Sequence, residues 1–286
     1  DPRRRRDPAH GHRAMVMAAA NASAPVGVFD SGIGGLTVVR EIMRQLPDER
    51  IIYFGDTARV PYGPKSPDTV RRYAREIVTW LQHQGVKAIV VACNTATAHA
   101  LETLTQEFDF PIVGVVEPGA RAAVRASHGG AIGVIGTAGT IGSGAYERAI
   151  RTLAPQARIA ARACPLFVPL VEEGWLDRDA TRLIANEYLV PLRNEDVDTL
   201  VLGCTHYPLL KPLIGDVMGR EVALIDSAHE TAAETARVLD GRGLRAQDRL
   251  TCQHRFVASD APEQFLRMGQ RFLGTAIDRV ETVTLG

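Results

Sequence analysis

Residues 86–95 read Val86-Lys-Ala-Ile-Val-Val-Ala-Cys93-Asn-Thr95, and residues 197–206 read Val197-Asp-Thr-Leu-Val-Leu-Gly-Cys204-Thr-His206. Each is a short apolar run that ends in cysteine and gives way to polar residues. A run of this kind, with no polar alternation, reads as a parallel strand covered on both faces. A second pair keeps the same order. Val26-Gly-Val-Phe-Asp-Ser-Gly32 precedes the first cysteine run, and Ile132-Gly-Val-Ile-Gly-Thr-Ala138 precedes the second. Two repeats of roughly 100 residues are too long for solenoid units. They suit two similar, pseudo-duplicated α/β domains that face each other.

Working outward, further strand-like runs fall at Ile51–Phe54, Ile112–Val115, Arg158–Ala163 and Val222–Ile225. Between most of them lie stretches with helical periodicity. The best starts at Ser66, which can cap, followed by Pro67 at the first helical position. Val70, Tyr73, Ala74, Ile77 and Leu81 then fall on one face. Strands alternating with helices imply mostly parallel sheets with helices on both sides. In such sheets ligands bind at the carboxyl ends of the strands.

The 286 residues, 31.0 kDa, are enough for one large domain or two ordinary ones. With 45% hydrophobic and 23% charged residues the composition is that of a globular protein. The 33 basic and 33 acidic residues balance, which argues against a nucleic-acid protein or one held on anionic membrane. Residues 1–24 carry five Arg and two Asp, so the remainder is mildly acidic, with 28 basic and 31 acidic residues. That segment imitates a secretory signal, but its apolar stretch is short and rich in Ala. It reads as a disordered leader, with Met15 or Met17 as alternative starts. No run of ~18 apolar residues exists, so no membrane span is expected.

The basic residues are 30 Arg and 3 Lys, namely Lys65, Lys87 and Lys211. The cysteines are Cys93, Cys164, Cys204 and Cys252, and no pair has CxxC spacing. That argues against a zinc knuckle and a thioredoxin-like motif, four cysteines in a chain of this size make no disulfide scaffold, and no metal site is expected. Cys93 and Cys204 each sit at a strand carboxyl end. A helix amino terminus is expected to follow each, which would lower the thiol pKa from ~8.5 toward neutrality. Two thiols at equivalent places in facing halves aim at one point from opposite sides. That geometry suits removal of a proton on one face and its return on the other. Asp30-Ser31, Asn94-Thr95, Thr137 and Thr205-His206 gather near the same ends, and Asp30 and His206 are placed to tune the thiols. Cys164 and Cys252 lack such surroundings and read as structural. The loop Asp30-Ser-Gly-Ile-Gly-Gly-Leu-Thr37 has Thr37 where a dinucleotide fingerprint needs glycine, and no phosphate-loop motif occurs. Its glycines still admit a close approach to an anionic group.

The motifs Asp30-Ser-Gly-Ile-Gly-Gly-Leu-Thr-Val38, Gly55-Asp-Thr57, Val60-Pro-Tyr-Gly63, Ala92-Cys-Asn-Thr-Ala96 and Leu202-Gly-Cys-Thr-His-Tyr-Pro-Leu209 together resemble the bacterial glutamate racemases of the aspartate/glutamate racemase superfamily. The resemblance runs from about Pro25 to about Ala258 and favours glutamate over aspartate racemases. It implies interconversion of L- and D-glutamate with no cofactor, the D-isomer feeding peptidoglycan synthesis, in the cytoplasm. It implies that Cys93 deprotonates the D-isomer and Cys204 the L-isomer, with Asp30 assisting Cys93 and His206 assisting Cys204. Glu172 matches a carboxylate near the second thiol. Substrate contacts carry over to Asp30, Ser31, Tyr62, Gly63, Asn94, Thr95, Thr137, Thr205 and His206. The family fold puts the site in a cleft between one domain of residues 25–117 plus 226–286 and another of 118–225. The Glu117-Pro118-Gly119 turn and the Asp226-Ser227 step are the expected crossings. Homodimers are common in the family, and some members are said to restrain DNA gyrase.

Other readings are a related aspartate or amino-acid racemase, a thiol hydrolase with one cysteine nucleophile and His206 as base, and a non-catalytic binding or regulatory protein. A pyridoxal enzyme would need a Schiff-base lysine. None of the three lysines sits where the cysteines sit.

Overall fold

The structure is a computed structural model that describes residues 22–247 and 253–285. Most of the expected leader, and Cys252, lie outside these residues. The end of that leader is held to the body: Lys87 Nζ donates to the Ala22 carbonyl at 2.5 Å and an Arg50 guanidinium to the Ser23 carbonyl at 2.6 Å. Two cations just beneath the segment account for its attachment.

Among the described residues ten strands form two sheets, with every pair parallel. The first contains β1 (Val26–Asp30), β2 (Ile51–Gly55), β3 (Ala88–Val91), β4 (Ile112–Gly114), β9 (Arg255–Ala258) and β10 (Glu281–Thr282), in the order β10-β9-β2-β1-β3-β4. The second contains β5 (Ala131–Gly136), β6 (Ile159–Ala163), β7 (Val197–Gly203) and β8 (Ala223–Asp226), in the order β6-β5-β7-β8. The second order repeats the β2-β1-β3-β4 portion of the first. In each sheet the glycine-containing strand therefore pairs directly with the cysteine strand, Phe29 opposite Val91 and Gly136 opposite Gly203.

Parallel register brings the strand ends level, so Asp30-Ser31 lies beside Cys93 and Thr137 beside Cys204. Side chains alternate between two cores as the strand period of two requires. Val26, Val28, Ala88 and Val90 face one, while Phe29, Ile89 and Val91 face another. The second of these is covered by helices Pro67–His83 and Asn94–Glu107. Helix Pro67–His83 forms as its residues dictate: Ser66 Oγ accepts from the Thr69 amide at 3.3 Å, Pro67 opens the first turn, and Val70, Ala74, Ile77 and Leu81 are buried. The first core continues into the second sheet through Leu200, Leu202, Cys164 and Phe167, so one apolar body underlies both halves.

Candidate active site

Cys93 follows β3 and is itself the cap of helix Asn94–Glu107, its sulfur accepting from the Ala96 amide at 3.4 Å. Its thiol points to Ser31 Oγ at 3.7 Å. The expected fall of this thiol toward neutrality is corrected by the structure. Burial, with the negative charge of Asp30 second, pushes Cys93 up to about 12, and the Ala96 amide does not offset them. The loss of solvation on burial outweighs what one amide at a helix terminus supplies. Here Cys93 is 5% exposed and has an acid beside it.

Cys204 follows β7, but no α-helix starts there. A 3₁₀ turn, Tyr207–Leu210, comes next, and helix Lys211–Met218 begins only afterwards. Pro208 and Pro212 lack the amide hydrogens that one continuous helix would need. The expectation of two helix termini thus holds for Cys93 and fails for Cys204. In place of a helix terminus, Cys204 has an imidazole: its sulfur lies 3.9 Å from His206 Nδ1. His206 Nε2 meets Glu172 Oε1 at 3.0 Å. Burial opposes a charge on His206, but the Cys204 sulfur and the Glu172 carboxylate outweigh it and raise His206 to about 10. The two thiols are therefore unequal, one beside a buried acid and the other beside an imidazolium.

Asp30 is fully buried, and burial raises its pKa. Its carboxylate accepts from the Gly32 amide at 3.0 Å and from Thr205 Oγ1 at 3.3 Å. The second bond crosses from one sheet to the other. Thr95 and Thr137 hydroxyls meet across the same gap at 2.8 Å, and the Gly139 amide donates to the Gly63 carbonyl at 2.9 Å.

These contacts explain two glycines. A Cβ at Gly34 would lie 2.6 Å from the His206 ring and collide with the Thr205 hydroxyl. A Cβ at Gly63 would lie 2.9 Å from Thr137 Cβ. Gly34 thus makes room for Thr205-His206 of the facing half, which is a different role from the anion cradle expected of its loop.

One small cavity lies between the halves and is lined by Ser31, Tyr62, Gly63, Cys93, Asn94, Thr95, Thr137, Cys204, Thr205 and His206. Both cysteines and every expected substrate residue but Asp30 reach it. Asp30 is buried outside the lining, bonded to Thr205, and Glu172 is bonded to His206. Tyr62 lines the wall, but its hydroxyl donates to Asp56, so it offers the cavity no free hydroxyl. Val60 and Pro61, from the Val60-Pro-Tyr-Gly63 motif, and Val168 complete the lining and were not among the expected substrate contacts. Their apolar side chains carry no chemical signature, and Val168 comes from a helix, Phe167–Glu172, remote in sequence from both motifs.

Cys164 is buried in the first core, its carbonyl accepting from the Tyr207 hydroxyl at 2.8 Å, away from the cavity. Lys87 is buried against Glu49, Lys211 bonds Asp226 at 3.0 Å, and Lys65 does not line the cavity. Among the described residues no group of His, Cys, Asp and Glu is placed to hold a metal, and no helix is long and apolar enough to cross a membrane.

The family described as Asp/Glu/Hydantoin racemase matches residues 26–235. The chain is 55% identical over 260 residues to a glutamate racemase of Geobacter metallireducens, covering 91% of this chain and 96% of that protein. Its fold is similar to the glutamate racemase isoform RacE1 of Bacillus anthracis, with a TM-score of 0.88, 44% identity, and coverage of 92% of this chain and 98% of that one. It is also similar to a Francisella tularensis glutamate racemase solved in complex with D-glutamate, with a TM-score of 0.87, 37% identity, and coverage of 92% and 98%.

Proposed function

The chain belongs to the Asp/Glu/hydantoin racemase family and interconverts the enantiomers of glutamate; we propose that it does so by passing the Cα proton between two thiols, with no cofactor, and that the D-glutamate feeds peptidoglycan synthesis in the cytoplasm. The observation that carries the two-thiol reading is one cavity into which each sheet sends one cysteine, with different partners behind each.

The Cα–H of glutamate is a very weak acid, so the site must stabilise the carbanion that forms. Hydroxyl and amide donors already fixed around the cavity, from Ser31, Asn94, Thr95 and Thr137, are suited to the substrate carboxylates. In the L-to-D direction the Cys204 thiolate takes the proton, and the His206 imidazolium beside it offsets the negative charge present before the transfer. Cys93, held as a thiol by burial and by Asp30, gives its proton to the opposite face. Cys204 is then a thiol and Cys93 a thiolate, the state from which the D-isomer is deprotonated. Exchange with solvent resets the pair between turnovers in one direction. Asp30 takes part by disfavouring the Cys93 thiolate, which makes that sulfur a stronger base once formed.

Enantiopure L-glutamate incubated with the purified protein is expected to lose its circular dichroism toward zero, and likewise the D-isomer, with no visible chromophore in the protein. A hydrolase or a simple binding protein would leave the signal unchanged. The kcat/KM for L-glutamate is expected to fall as pH rises through about 10, because the imidazolium beside Cys204 is lost there. A profile flat to pH 11 would contradict that role for His206. Homodimeric assembly, which light scattering would read, belongs to the same proposal. The described residues offer nothing that favours a DNA gyrase contact.

A further inference from the structure

The mechanism does not use Tyr146, although this side chain is 2% exposed and touches both halves of the molecule. It lies in the first turn of helix Ala145–Leu153 of the second half, and its hydroxyl donates to Asn94 Oδ1 of the first half at 2.7 Å. Asn94 is the residue after Cys93 and lines the cavity. Its other amide atom, Nδ2, is buried and has no hydrogen-bond partner among the described residues.

We infer that Tyr146 is a positioning residue that fixes the orientation of the Asn94 amide, so that Asn94 Nδ2 presents its hydrogens to a carboxylate of the substrate. The inference rests on the racemase reading of the cavity. An asparagine amide has two orientations that differ only in which end donates. An acceptor-only carboxylate binds one of them. Tyr146 selects it, because a phenol that donates to Oδ1 leaves Nδ2 as the free end. The Ser227 side chain is a polar neighbour of the phenol oxygen, and the phenol proton goes to Asn94 Oδ1. Burial raises the phenol pKa, so the donor keeps its proton through the working pH range.

The Tyr146 ring edge lies where a Cβ on Gly203, the residue before Cys204, would be 3.1 Å away. Its oxygen lies where a Cβ on Gly119 would be 3.2 Å away, and the Ser227 Cβ is equally close to that point. Gly119 and Ser227 belong to the two segments where the chain is expected to cross between halves.

The test is a double-mutant cycle read separately as kcat and KM, with Tyr146→Phe, Asn94→Ala and the pair. Tyr146→Phe keeps the ring packing and removes the donor. It is expected to raise KM for both enantiomers and lower kcat/KM about tenfold, as for loss of one hydrogen bond to a charged ligand. In the Asn94→Ala background the same change is expected to lower kcat/KM less than about twofold, since its target is gone. Equal losses in the two backgrounds, or an unchanged KM in Tyr146→Phe, would overturn the inference. A merely structural role would give equal losses with a matching fall in melting temperature. If the wild type failed to racemise glutamate, the underlying functional reading would fail instead, which is a separate result.

Discussion

Replacing either Cys93 or Cys204 with alanine is expected to lower the racemisation rate about 10²–10⁴-fold in both directions, the range for loss of a positioned general acid or base. The loss is bidirectional because every turnover uses both sulfurs, one as base and one as acid. It follows from the placement of the thiols on opposite sheets around one cavity. Each single variant should still bind glutamate, because Asn94, Thr95, Thr137 and Ser31 remain. The defect should therefore fall mainly on kcat. The double variant should be little worse than either single one, since groups that act as a unit lose their contribution together. Polarimetry on the three variants checks this. A variant that retained full turnover in one direction would show that its sulfur is not part of the relay.

The second large effect concerns stability. Lys87 and Glu49 form an ion pair at 2.5 Å with side chains 0% and 1% exposed. Burial pulls the Lys87 ammonium below its usual pKa, while Glu49 opposes that pull. Removing one partner leaves an uncompensated buried charge, so Lys87→Met is expected to cost about 3–5 kcal/mol, read from urea unfolding midpoints. The Lys87→Met/Glu49→Leu double variant should recover most of that loss. The exposed pair Arg71–Asp68, with Asp68 94% exposed, should contribute less than about 1 kcal/mol. A Lys87→Met protein within about 1 kcal/mol of wild type would contradict this account of the pair. Lys87 therefore ties the start of β3 to the segment before β1 and is not available for imine chemistry.

The architecture was legible where apolar runs were long enough to stand out. Eight strands were read from the sequence and are present, and the shared order β2-β1-β3-β4 and β6-β5-β7-β8 is the repeat that the two cysteine runs announced. The missed strands are β9 and β10. β9 is four residues that begin with Arg255, and β10 is the edge pair Glu281–Thr282, so neither carries a period to detect. The cavity was legible because strand ends bear polar residues next to cysteine, a local signal. Tyr146 was not, because its partner Asn94 lies 52 positions away and nothing in Ala145–Leu153 marks it. The thiol environment was misread for the same kind of reason. Sequence shows that a helix follows Cys93, but not that the sulfur is buried beside Asp30, and burial is the larger effect.

The most direct test of the two-thiol relay is the fate of the Cα hydrogen in D₂O. Wild-type protein given L-glutamate should yield D-glutamate carrying deuterium at Cα, while substrate recovered at low conversion keeps its protium. The proton removed by Cys204 stays on that side, and the one delivered by Cys93 comes from solvent. D-glutamate that kept the original protium, or recovered L-glutamate as deuterated as the product, would mean that one group serves both faces and would contradict the account.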